Sequence, residues 1–231
     1  MTIREGYDAI RKRNEQAAKT SFRGIPELIL SGDGDIAVFR FLTDSPVDVD
    51  VHEIRDDTIS KRPLYYPCTR DEKDFPESGG ECEHCNIQSP LTRLFYFWIW
   101  TERILHPAPA EDGSWSPVKF SNRTYYEEKR EAPQLIKRKF GRGQSFWEQF
   151  QSAFDTYGTW MDRNYTLRRR GAPNDINTTY TLTSLDKTPM PKHLKELAAS
   201  LPSLKDVALG KVTSLIEGEP EVTVDLPEVG D

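Results

Sequence analysis

Three cysteines and one histidine have the residue types and the spacing of a metal site. Two residues separate Cys82 from Cys85, thirteen separate Cys68 from Cys82, and fifteen separate His52 from Cys68. Zinc prefers four nitrogen or sulfur ligands in a tetrahedron, and three cysteines with one histidine are a standard structural set. A metal would also explain how this polar segment folds, because the segment can bury little core of its own.

The fourth ligand is the open question of this site. His52 is favoured because it ends a predicted strand, from which its ring can point back toward the cysteines. His84 is the alternative, but it lies inside the Cys-x-x-Cys turn, where its ring is expected to face outward. The alternative is that the three cysteines bind no metal. A disulfide scaffold is not expected, because three cysteines are too few for one.

The ligand set indicates a structural metal and not a catalytic one. Three thiolates and an imidazole leave no open position for water. The segment after His52 lacks the second histidine of a metalloprotease helix, and Glu53 follows His52 directly, unlike the His-x-Glu of zinc deaminases. A nuclease would need clustered carboxylates, and none is evident around residues 93–170. We therefore expect that the protein is not an enzyme.

Basic residues are concentrated in one stretch although the net charge of the chain is −6. Residues 134–170 hold eight Lys and Arg against three acids, whereas residues 217–231 hold six acids and no Lys or Arg. In strands, alternation would place Lys137 with Lys139 and Arg168 with Arg170 on shared faces. Two such strands side by side would form a cationic groove for a phosphate backbone. The alternative is a pair of solvated faces that form ion pairs with nearby acids.

An aromatic run at residues 94–100 predicts the strongest strand of the chain. Alternation gives it one apolar face and a second face with Tyr96, Trp98 and Trp100. Exposed aromatic rings of this kind stack on nucleic-acid bases, at about 1–3 kcal/mol each. The alternative is a strand buried on both faces. Tyr65 and Tyr66, beside the cysteines, are further candidates for stacking.

The remaining pattern predicts a mainly β protein, either a small barrel or a sandwich. Further strands are predicted at residues 36–42, 47–54, 118–126, 134–140, 165–170 and 178–185, with a helix at 145–157 and weak helical character at 189–208. Helices do not alternate with the strands as they do in βαβ units. The longest apolar run is too short to span a membrane, and the N-terminus lacks the apolar region of a signal peptide. We therefore expect a cytoplasmic protein without a membrane partner.

Taken in order, these pieces resemble the helix-destabilising single-stranded DNA-binding proteins of T-even phages and their relatives in other tailed phages. The resemblance covers about residues 30–185. It rests on the run 37–42, the order His52, Cys68, Cys82, Cys85, the aromatic strand 94–100, Phe140-Gly141-Arg142 before a Trp-bearing helix, the strand 165–168 and the acidic C-terminus.

The resemblance implies an OB-type barrel with an inserted zinc-binding subdomain. It also implies sequence-tolerant binding of single-stranded DNA in phage replication, recombination and repair. Residue by residue it places structural zinc on His52, Cys68, Cys82 and Cys85. It places DNA contacts near Tyr65, Tyr66, Arg93, Tyr96, Lys137, Lys139 and Arg168, to which the strand patterns above add Trp98 and Arg170. In the family, a basic triplet followed by Ser or Thr at the very N-terminus is the signal for cooperative binding. This chain departs from that pattern, because its triplet Arg11-Lys12-Arg13 lies further from the N-terminus and is followed by Asn14.

These observations predict four regions. They are a basic arm (1–25), an OB-type DNA-binding core (26–187) with the zinc insertion at about 52–90, a helical extension (188–212) and an acidic disordered tail (213–231). The tail is a candidate docking peptide for replication or recombination proteins. The rival hypothesis is a zinc-ribbon adaptor that binds replication or transcription machinery without touching DNA. It differs in one structural expectation, because it requires Tyr96 and Trp98 to be buried.

Overall fold

The computed structural model describes residues 25–55, 63–139, 146–173, 177–212 and 215. The described strands are β1 (Ile36–Phe41), β2 (Val47–Ile54), β3 (Leu64–Pro67), β4 (Leu91–His106), β5 (Ser116–Phe120), β6 (Arg123–Lys139), β7 (Arg163–Arg170) and β8 (Thr179–Lys187). The described helices are α1 (Glu83–Asn86), α2 (Phe146–Tyr157), α3 (Lys192–Ser200) and α4 (Leu204–Ala208).

The strands form one antiparallel sheet whose centre is the long strand β4. The order across the sheet is β3-β2-β4-β1-β7-β8, and β6 pairs with β4 and carries β5 on its other side. The prediction of a mainly β protein is therefore confirmed. The described strands do not close on themselves, so the structure leaves the predicted OB-type barrel unconfirmed.

The first core lies on the face of the sheet that α2 covers. Phe39 and Phe41 of β1 are fully buried there, together with Phe97 of β4. The Phe41 ring lies 5.1 Å from that of Phe97 and 5.5 Å from that of Phe150 on α2. Each buried phenylalanine contributes about 1.5–3 kcal/mol by leaving water. The helix predicted at 145–157 forms α2, whose Phe150 is fully buried in this core while Trp147 packs against it.

The opposite face of the sheet, called the outer face below, carries a second core. Tyr96 and Trp98 of β4 are 5% and 1% exposed, beneath Leu194 of α3 and Leu204 of α4. The Trp98 indole N–H donates a hydrogen bond to the carbonyl of Pro202, 3.1 Å away. The expectation that these two rings are open for base stacking is therefore wrong for this structure. The alternative of a strand buried on both faces is what the structure shows.

Some strand boundaries differ from the sequence-based expectation. The single strand predicted at 118–126 is a hairpin, because Ser121 and Asn122 adopt φ of 46° and 63° and turn the chain between β5 and β6. Strand β6 continues past a bulge at Glu131, whose φ is 43°, so it is longer than the predicted 134–140. Strand β3 lies in a region predicted to be irregular.

The predicted terminal regions are only partly described. The stretch predicted to be a helical extension contains α3 and α4, which cover the outer face of β4. The basic arm and the acidic tail lie outside the described residues, except for Ile25 and Leu215. None of the described helices has the length and apolar character needed to cross a membrane.

Candidate metal centre and nucleic-acid interface

The four predicted ligands come together at one point. The ligand atoms of His52, Cys68, Cys82 and Cys85 all lie within 4.8 Å of one another. The Cys68 and Cys85 Sγ atoms are 3.7 Å apart, and Nε2 of His52 lies 3.3 Å from Cys85 Sγ. A tetrahedral ion with Zn–S bonds of about 2.3 Å needs ligand separations of roughly 3.5–3.8 Å. The cluster therefore has the size and the ligands of a zinc site.

Each ligand is positioned by a different piece of backbone. His52 is on β2, and Cys68 follows β3, where its N–H donates to the Asp50 carbonyl at 2.8 Å. Cys82 immediately precedes the short helix α1, and Cys85 lies within it. The chain turns into this helix through Gly79 and Gly80, whose φ values are 57° and 76°. Positive φ favours glycine, so these two residues permit the turn that delivers Cys82.

His52 is oriented for ligation by its second ring nitrogen. Its Nδ1 lies 3.1 Å from the carbonyl oxygen of Ser89, which can only accept a hydrogen bond. Nδ1 therefore carries the proton, and Nε2 is left with a lone pair facing Cys82 and Cys85. His84 takes no part in the cluster, because its ring lies against that of Tyr66, 5.0 Å between centroids. The preference for His52 over His84 is thus confirmed at the level of geometry.

The thiols of the cluster differ in acidity. Burial would raise the pKa of Cys82, but hydrogen bonds from Thr69, Cys85 and His84 outweigh it and lower that pKa to about 6. Burial and the neighbouring thiols Cys68 and Cys82 raise the pKa of Cys85 to about 11. A cation at the centre would reverse the repulsion that acts on Cys85.

Several predicted DNA contacts on β3, β4 and β6 gather on the outer face of the sheet. Lys137 Nζ lies 5.5 Å from the Tyr65 ring and 5.9 Å from the Tyr96 ring. Lys139 is two residues further along the same face of β6. Tyr65, Lys137 and Lys139 keep part of their side chains in solvent, whereas Tyr96 is buried. We call Tyr65, Lys137 and Lys139 the tyrosine–lysine patch.

The patch is balanced by carboxylates. Lys137 Nζ lies 3.4 Å from Glu27, and Lys139 forms an ion pair with Glu53. The hydrogen bond and charge of Lys139 lower the pKa of Glu53, against the opposing effect of burial. The Lys137–Glu27 pair is partly exposed on both sides and contributes about 0–1 kcal/mol. Glu53 is only 11% exposed, so removing Lys139 from it costs more.

Two predicted contacts point away from the patch. Arg93 lies on the same face of β4 as Phe95, which is opposite the face of Tyr96, and it pairs there with Asp50 at 2.7 Å. Tyr66 likewise points away from the patch, toward His84 in the segment that carries the cysteines (residues 68–90, called the metal segment below). Alternation along β4 and β3 is the signal that could have separated these residues from Tyr96 and Tyr65.

The expected groove between two basic strands does not form. Strands β4 and β1 lie between β6 and β7, so the Lys137 and Arg168 triplets are not on neighbouring strands. Arg168 and Arg170 lie on the face of β7 opposite the buried Leu167. This is the outer face of the sheet, on the strand beyond β1. Their strands therefore cannot form one groove by direct pairing.

The middle residue of each basic triplet has a structural role that sequence reasoning missed. Arg169 is 8% exposed and donates hydrogen bonds to the carbonyls of Leu30 and Ala172, at 2.9 and 2.7 Å. Arg138 lies between two rings, 5.6 Å from Phe146 and 5.1 Å from Tyr180. Burial lowers the pKa of Arg138. Alternation predicts that the middle residue of each triplet faces inward, but it does not identify the groups that contact its guanidinium.

Comparison with known proteins adds no relative, because no family model and no curated protein matches the chain.

Proposed function

We propose that this protein binds single-stranded DNA without sequence preference and without catalysis, around a structural zinc ion held by His52, Cys68, Cys82 and Cys85. The observation that carries the proposal is the tyrosine–lysine patch, where Lys137 Nζ lies 5.5 Å from the Tyr65 ring and 5.9 Å from the Tyr96 ring. Cationic side chains that follow phosphates and rings that stack on bases are the two elements of sequence-tolerant binding.

The fold we propose is an OB-type barrel with the metal segment inserted between β2 and β4. Support comes from the approach of β6 and β8, two strands that do not pair with each other, since the Arg138 guanidinium on β6 lies 5.1 Å from the Tyr180 ring on β8. The segment before β1 also joins the two sides, because Leu28 donates to the Leu135 carbonyl on β6 and Gly34 donates to the Arg169 carbonyl on β7. Single-stranded nucleic acids are common ligands of this fold.

The test is fluorescence anisotropy of a labelled oligo-dT, titrated with zinc-loaded protein at several salt concentrations. The wild-type affinity should fall as salt rises, with a slope of about 0.7 per phosphate contacted. Tyr65→Ala should weaken binding by roughly tenfold, because one stacked base is lost. The double variant Lys137→Ala, Lys139→Ala should lower the salt slope by about 1.4.

A matched control removes two lysines elsewhere. Lys119 and Lys129 are exposed on the β5–β6 pair, so the double variant Lys119→Ala, Lys129→Ala loses the same charge without touching the patch. It should keep the wild-type affinity and salt slope. If both double variants lose affinity equally, net charge explains binding and the patch does not. If the folded protein does not bind oligo-dT at low salt, the proposal fails.

One observation favours a second candidate, the zinc-containing adaptor. Burial of Tyr96 and Trp98 beneath α3 and α4 is what that hypothesis requires. Its partners would be replication, recombination or transcription proteins, with the acidic tail at 213–231 as the docking peptide. An oligonucleotide should then leave both the anisotropy and the tryptophan fluorescence unchanged. That result would move the adaptor ahead of the DNA-binding proposal.

A further inference from the structure

A pocket of about 270 Å³ lies on the outer face, between the sheet and the chain that enters α3. Its floor is a row across three strands, because Arg40 on β1 is paired with Trp100 on β4 and with Asn164 on β7. The rest of its lining consists of Phe39, Glu102, Thr188, Pro189, Pro191, His193 and Leu194. The pocket is separate from the tyrosine–lysine patch and from the metal cluster in its lining residues.

Arg40 is an unusual residue to find at the floor of this pocket. It is 3% exposed, and its Nε donates to Asn164 Oδ1 at 2.7 Å, while its Nη2 donates to the Thr188 hydroxyl. Its Nη1 is buried and has no hydrogen-bond partner among the residues that the structure describes. A buried donor without an acceptor is costly, and more so when it carries charge. The guanidinium therefore has one unsatisfied donor beside the pocket that Arg40 lines, and a ligand can supply its acceptor by displacing the side chains that cover it.

The nearby carboxylates do not neutralise Arg40. The Glu102 carboxylate lies 3.6 Å from Arg103 Nε. The Asp162 carboxylate lies 2.7 Å from Arg163 Nε and 3.4 Å from Lys187 Nζ. Neither acid forms an ion pair with Arg40 within the part of the chain that the structure describes. Burial lowers the pKa of Arg40 and outweighs the opposing attraction of Asp162 and Glu102. Glu102 also lines the pocket, but its carboxylate is shared by Arg103 and by Asn164, whose Nδ2 donates to it at 3.4 Å. The buried Arg40 guanidinium therefore keeps a charge whose natural counterpart is an anion.

Two further groups complete an anion site. The Thr188 hydroxyl accepts from Arg40 and still has its own proton to donate. His193 is exposed at the mouth, with its ring 6.4 Å from the Trp100 ring and nearly perpendicular to it. Trp100 and the two prolines give the rest of the lining a flat, apolar character. A ligand that suits both parts carries an anionic group on a planar ring.

We propose that this pocket binds one nucleotide, with its phosphate at Arg40, Thr188 and His193 and its base against Trp100. A free mononucleotide and the 5′-phosphorylated end of a DNA strand offer the same chemistry. The site is independent of the tyrosine–lysine patch, so either can exist without the other.

The test uses the full zinc-loaded chain, titrated with dTMP and separately with inorganic phosphate, by calorimetry and by tryptophan fluorescence. Saturable binding of dTMP, tighter than that of phosphate, is expected because the base adds contact with Trp100. His193→Ala and Trp100→Leu should each weaken dTMP binding roughly threefold or more. Arg40→Gln should weaken it at least about tenfold, provided that its melting curve shows a folded protein.

Lys195→Ala is the matched control, because Lys195 is exposed on the same helix as His193 but does not line the pocket. It should leave dTMP binding unchanged. Competition of dTMP by an oligo-dT with a 5′-phosphate, and not by the same strand without it, assigns the strand end as the ligand. Competition by neither strand assigns the free nucleotide. The proposal is overturned if dTMP does not bind, if dTMP binds no tighter than phosphate, or if His193→Ala and Trp100→Leu bind dTMP like the wild type.

Discussion

The first core and the metal segment belong to the same sheet but are held together in different ways. The first core buries Phe39, Phe41, Phe97 and Phe150 completely. Among residues 68–90, only Cys82 is buried. One region is stabilised by apolar area removed from water, and the other has almost no such area. Strands β2 and β3 thus extend the sheet into a region with little apolar burial, where the four clustered side chains are close enough to hold a metal ion.

Removal of the metal should have the largest effect, and it should be confined to one side of this comparison. Structural zinc contributes about 10–16 kcal/mol of binding free energy in small zinc domains. A chelator, or Cys85→Ser, should therefore unfold residues 68–90 while α2 and the first core stay folded. Hydrogen exchange and near-ultraviolet circular dichroism would measure the two regions separately. Loss of both regions together would show that they form one cooperative unit.

Phe41→Ala should have the converse effect, on the core and not on the metal segment alone. The Phe41 ring contacts Phe97, Phe150, Trp160 and Tyr165, with centroids 5.1–5.8 Å away. Truncation of a buried phenylalanine costs about 3–5 kcal/mol, from lost burial and the cavity that remains. Urea denaturation of the zinc-loaded protein should show this loss. A cost below about 1 kcal/mol would mean that the core refills the cavity or is loosely packed.

Trp98→Phe should have the smallest effect of the three and sharpens the comparison for the second core. The variant keeps most of the apolar contact with α3 and α4 but removes the indole N–H that donates to Pro202. We expect a loss of about 0.5–1.5 kcal/mol from the hydrogen bond, together with the lost ring area. Limited proteolysis within 188–212 would detect loosening of the helices. Unchanged stability would show that the hydrogen bond is not needed to hold them.

Periodic and local features of this protein could be predicted from the sequence. The four metal ligands, the strand at 47–54 and the helix that presents Phe150 follow from spacing and alternation. The fate of Trp98 does not, because alternation gives two faces but not what covers them, and the cover comes from α3 and α4 about a hundred positions later. The partners of Arg138 and Arg169 are similarly distant in sequence. The hairpin turn at Ser121 and Asn122 was missed because neither residue is glycine.

Strand β4 has a consequence for the order in which the backbone opens. Its residues pair with β2 and then β1 along one edge and with β6 along the other. Amides paired on both sides and buried exchange with solvent only through the largest opening events, whereas edge strands open locally. The amides around Phe97 should therefore exchange slowest, and those of β3 and β5 much faster. Strand β4 would be the last part of the sheet to separate and would set the lifetime of the folded state.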